Sequence, residues 1–79
     1  MRENLNSQIE EVVPRIAAKN YLVEIDQAWN LQVYDPFKMT IPVDKIFTVY
    51  EDDFCWEIST NHVLVRFGKV LDGIEIFVY

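Results

Sequence analysis

Cys55 and His62 are the only thiol and the only imidazole in this 79-residue chain, so they bound most of the side-chain chemistry open to it. A thiol nucleophile needs its imidazole within hydrogen-bond reach. The flanking residues read as a hairpin turning through Thr60 and Asn61. Ser59 then faces His62, and Ile58 with Val63, Trp56 with Val65, and Phe54 with Phe67 share one side. In that register Cys55 and His62 lie on one face but four residues apart along the ladder, about 13 Å. The spacing excludes a dyad and leaves Cys55 as a small packed residue and His62 as a polar residue beside a turn. One thiol and one imidazole also fall short of the four ligands of a structural zinc site. Gly68 and Gly73 are the only glycines, so there is no phosphate-cradling loop. No catalytic, cofactor-binding or metal-binding residue is assigned, and the chain reads as non-enzymatic.

The carboxylates carry a stronger signal. Eight of them fall between Glu24 and Glu57, against only Lys38 and Lys45, while the remaining segments hold five acids and five bases. The whole net charge of −6 therefore sits in the middle of the chain, interleaved with Trp29, Tyr34, Phe37, Tyr50, Phe54 and Trp56. Glu51-Asp52-Asp53 is its densest point, and mutual repulsion places it in an exposed connection. It has neither the ligand spacing nor the central glycine of a calcium loop, and a chain this short leaves no room for a sugar cleft between paired carboxylates. Acids beside aromatics suit recognition of a basic surface, the rings anchoring and the charges steering. Tyr34, Asp35, Tyr50, Glu51, Asp52, Asp53 and Glu57 are the expected contact residues.

Composition narrows the class further. The chain is 51% apolar and 25% charged with two Gly and three Pro, which describes an ordered unit rather than a low-complexity segment. Residues 1–79 are read as one small α+β domain. Net −6 disfavours direct nucleic-acid contact, which depends on cations at phosphates. A lone cysteine and the absence of disulfide staples favour the cytoplasm. Residues 1–20 include Glu3, Glu10, Glu11 and Pro14 and lack the apolar run of a signal peptide, and no segment is long enough to span a membrane.

The elements that must position these residues follow from periodicity. Leu5, Ile9, Val12, Val13, Ile16 and Ala17 recur at helical spacing, with Ser7 and Glu10 as a capping box, Pro14 as an interruption and Asn20 as a stop. From Tyr21 the pattern alternates: Tyr21, Val23 and Ile25, a turn over residues 26–28, then Trp29, Leu31 and Val33. Met39, Ile41 and Val43 form a third run in which Pro42 implies an edge or a bend. Residues 43–50 fit either a strand or a helical turn. Asp72-Gly73 reads as a type I′ turn that sets Leu71 opposite Ile74, Lys69 opposite Ile76 and Phe67 opposite Val78. The expected fold is one N-terminal amphipathic helix on a twisted, mainly antiparallel sheet of five or six strands, ending in a three-stranded meander.

The outer face of that meander carries Leu64, Val70, Phe77 and Tyr79, with Phe77 set over Gly68 and Tyr79 beside Arg66. Such a patch calls for cover, either by Trp29 or Phe37 of the same chain or by another subunit. Two functions result. The first is a small acidic interaction module, of a size and charge that would suit a phage or mobile-element protein, inhibiting a target by occluding a basic and even nucleic-acid-binding surface. The alternative is an assembly subunit, such as a homodimer joined through the apolar outer face of the C-terminal strands.

Overall fold

The helical spacing at the N-terminus produces α1 (Arg2–Ala18) in the computed structural model, which describes residues 2–79. Met1, part of the stretch read as lacking a signal peptide, lies outside the described residues. Ile9, Val12, Val13 and Ile16 are buried on one stripe, and Leu5 and Ala17 pack at its margins. The expected capping box does not form, because the helix starts before Ser7. Its first turn is held by tertiary contact instead, the Arg2 guanidinium donating to the carbonyls of Val43 and Ile46. Pro14 sits inside the helix, and both it and Glu10, whose carbonyl loses its partner, are exposed, so water can satisfy that group. Asn20 ends the helix in the left-handed region (φ 73°), its N–H reaching the Ala17 carbonyl at 2.9 Å.

Seven strands follow, divided between two antiparallel sheets rather than gathered in one. The first contains β1 (Val23–Ile25), β2 (Asn30–Val33) and β3 (Met39–Pro42) in sequence order. The second contains β4 (Thr48–Glu51), β5 (Cys55–Ser59), β6 (Val63–Gly68) and β7 (Ile74–Val78), again in order. Residues 43–50 hold both of the expected forms, a 3-10 turn at Val43–Lys45 and then β4. Pro42 and that turn end the ladder, which is why the sheet splits at this point. The β1–β2 loop closes between Asp26 and Asn30, with Trp29 in the left-handed region (φ 64°) and Asp26 Oδ1 accepting from the N–H groups of Ala28 and Asn30. Trp29 is therefore a loop residue and not the first residue of β2.

One core joins α1 to both sheets. Ile9 and Ile16 from the helix, Leu31 and Val33 from β2, and Ile58, Val65 and Phe67 from β5 and β6 are all essentially inaccessible. Each such side chain stabilises the fold by about 2 kcal/mol relative to exposure. The helix packs most closely on β1 and β4, lying along the opening between the two sheets.

Both C-terminal hairpins form, with registers other than those expected. Ile58 pairs with Val65 and Trp56 with Phe67, a shift of two residues, because the turn is centred on Asn61 and His62. Thr60 is responsible: its Oγ1 accepts from the N–H groups of His62 (3.1 Å) and Val63 (3.2 Å). In the second hairpin Phe67 pairs with Ile74, a shift of four, and residues 69–72 form the loop in place of a type I′ turn at Asp72-Gly73. Gly68 permits that longer loop, since a Cβ there would lie 1.8 Å from the Leu71 carbonyl oxygen. Both shifts are even, so the residues within β5, β6 and β7 keep their expected faces, whereas Phe54 and Leu71, expected on the inner apolar face, lie in connections and are exposed.

Candidate protein-binding face

On the four-stranded sheet, Trp56, Ile58, Val65 and Phe67 point into the core, so the alternate residues form the outer face. The register aligns Tyr50, Glu57, Arg66 and Glu75 as one row across all four strands. Arg66 is central to it, its Nε donating to Glu57 Oε2 at 2.7 Å and its Nη1 to Glu75 Oε1 at 3.3 Å. The Glu57 hydrogen bond raises the guanidinium pKa further above its ordinary value. Arg66 also lies 4.9 Å from the centre of the Phe77 ring, so the cation–π partner is Phe77 and not Tyr79. Phe77 itself pairs with Leu64 rather than lying over Gly68.

At one end of the row, residues 52–55 turn tightly from β4 into β5. Asp52 Oδ1 accepts from the N–H groups of Phe54 (2.8 Å) and Cys55 (2.9 Å), and these bonds hold its carboxyl below the ordinary range. The Tyr50 hydroxyl donates to Asp52 Oδ2 at 3.0 Å, which raises its own pKa. The turn thereby presents Asp53 and Phe54 outward, with Phe54 68% exposed. Phe54, Val70 and Leu71 wall a depression of about 660 Å³ that is rimmed by Asp52, Glu57 and Glu75 and floored by Cys55 and Gly68. Three carboxylates face one guanidinium there. The Cys55 thiol is buried, and burial pushes its pKa up, so it is a poor thiolate.

The expected contact residues do not form one surface. Tyr50, Asp52, Asp53 and Glu57 come together, but Glu51 alternates to the inner side. There it bonds Arg15 (2.6 Å) and Lys69 (2.7 Å), and Lys69 above all lowers its carboxyl pKa. Lys69 stands over the Trp56 ring at 4.7 Å instead of facing Ile76. Tyr34 directly follows β2 of the other sheet, donating its hydroxyl to Glu24, which raises its pKa. Asp35 lines a separate depression with Pro36, Leu22 and Gly73, beside β7 and across the sheet from Asp52. Of the apolar residues, Leu64 and Phe77 are neighbours on the outer face, Tyr79 extends β7, and Val70 belongs to the loop. Trp29 covers none of them; it borders a groove between α1 and β1. Cys55 and His62 lie at opposite ends of their hairpin, about 20 Å apart along the ladder.

No group of three or more metal-ligating side chains is found among the described residues, and no helix among them is long and apolar enough to cross a membrane. Compared with known protein families, curated proteins and solved structures, the chain matches none of them.

Proposed function

We propose that this protein is a non-enzymatic binding module whose outer four-stranded face recognises a basic surface of another protein and acts by occluding it. One observation supports this reading above the others: exposed Phe54, Val70 and Leu71 share a single depression with Asp52, Glu57 and Glu75, and Arg66 is the only cation among the described residues that line it. An arginine or lysine side chain of a partner would lay its apolar stem on the walls and its charge against the rim. Tyr50 and Asp53 extend the same surface, whereas Glu51 is engaged within the fold.

The experiment is affinity capture from a native lysate with wild type and an Asp53→Lys, Phe54→Ala variant, at low and moderate salt. Neither side chain of that pair makes a hydrogen bond or ion pair among the described residues, so the fold should survive. The expected result is a partner retained by wild type only, released as salt rises. If nucleic acid competes for the captured partner, the occluded surface is a phosphate-binding one. Equal capture by both proteins would remove the acidic face from consideration.

A further inference from the structure

We infer that the free edge of β7 pairs antiparallel with β7 of a second copy, making one continuous eight-stranded sheet. Gly68 N–H reaches the Gly73 carbonyl and Tyr79 N–H reaches the His62 carbonyl, so Glu75, Phe77 and Tyr79 bond inward to β6, as does the Gly73 carbonyl, while the Gly73 N–H goes to the Tyr21 hydroxyl. Ile74, Ile76 and Val78 therefore direct both N–H and C=O outward, with no partner for these groups among the described residues.

The other three sheet edges are blunted. On β4 the outward Val49 carbonyl accepts from Gln8 of α1, which packs along that strand. On β1 the outward Val23 N–H is taken by the Tyr21 carbonyl, and α1 lies alongside. On β3 the Val43 N–H bonds inward to Trp29, which turns the alternate residue Pro42 outward, where it has no N–H to offer. β7 has none of these devices, and Glu75 is its only charge.

The occupant follows from self-complementarity. In a two-fold pairing centred on Ile76, every outward residue meets another: Ile76 faces itself, and Ile74 faces Val78 of the second copy. Val78, 79% exposed in the single chain, then enters the depression of about 370 Å³ lined by Leu22, Pro36 and Ile74. On the outer face Tyr79 falls beside Gly73 of the other copy, an aromatic against a bare glycine, and Glu75 falls beside Phe77. That Phe77 carries the second copy's Arg66, so each interchain Glu75 approaches a guanidinium. A two-fold axis normal to the sheet leaves both acidic depressions on the same side, so the inference stands apart from what fills them.

The test is sedimentation equilibrium of wild type, Val78→Pro and Phe47→Ser, with circular dichroism to confirm folding. Val78→Pro deletes an outward N–H without touching the β6 ladder, while Phe47→Ser removes an exposed apolar residue far from β7. The expected result is a wild-type dimer, a Val78→Pro dissociation constant weakened at least about tenfold, and no change for Phe47→Ser. A wild type that stays monomeric to about 1 mM, or a Val78→Pro variant that associates like wild type, overturns the pairing. Should the proline variant unfold, amide exchange of wild type decides. Ile76 and Val78 amides that slow with concentration support the edge, and rates independent of concentration refute it.

Discussion

The Tyr21 hydroxyl donates its one proton to the Gly68 carbonyl (2.7 Å), with the Gly73 carbonyl a longer second acceptor at 3.2 Å, and accepts from Gly73 N–H (2.9 Å). Its ring meets Phe67 edge-on at 5.6 Å, so one residue after the helix anchors the β6–β7 loop to the core. Tyr21→Phe keeps the ring contact and loses the bonds. The expected cost is about 1–2 kcal/mol, read from urea denaturation. Glu51 and Asp52 are also structural, and their carboxyls, like that of Asp26, titrate below the ordinary range. A depressed carboxyl stabilises the fold fully above its unfolded pKa, and that contribution is lost as pH falls through the folded value. Urea midpoints should therefore hold steady at neutral pH and decline below about pH 4.5, with a shallower decline in Glu51→Gln.

At the scale of elements, the β6–β7 connection is decided by a contact its own sequence does not announce. The Leu71 carbonyl packs where a Gly68 side chain would sit, and the Lys69 N–H continues the ladder to the Phe54 carbonyl at 2.7 Å. Gly68→Ala must push the loop backbone away. The expected result is a loss of about 1–3 kcal/mol, together with shifted amide resonances confined to residues 68–73. Since that loop supplies Val70 and Leu71 to the depression, the same substitution should also weaken partner capture.

At the scale of the molecule, Asp53 and Phe54 sit at a strand connection without supporting the core. The Asp53→Lys, Phe54→Ala variant is accordingly expected to lie within about 0.5 kcal/mol of wild-type stability while losing its partner. That separation of stability from binding is what distinguishes a recognition surface from a solvated turn. The two-fold pairing of β7 would place two such surfaces side by side, so a bivalent target would be held more tightly by the dimer than by one copy.

Periodicity was enough to determine the helix stripe from Leu5 to Ala17 and which face the residues within β5, β6 and β7 occupy, because these depend only on local geometry, but not the exposure of Phe54, Val70 and Leu71 in the connections. It also placed Tyr50, Asp52, Asp53 and Glu57 near one another, since a tight hairpin joins residues close in the chain. Tertiary structure decided the rest. Whether seven strands make one sheet or two depends on how the chain continues past Pro42, and exact register depends on Thr60 Oγ1 and on a loop packed over Gly68. Above all, the ion pairs Arg15–Glu51 and Lys69–Glu51 span 36 and 18 residues, and separations of that kind leave no local trace. They removed Glu51 from the acidic surface, just as a place in the β2–β3 connection of the other sheet removed Tyr34 and Asp35, because charge is counted along the chain but presented only in space.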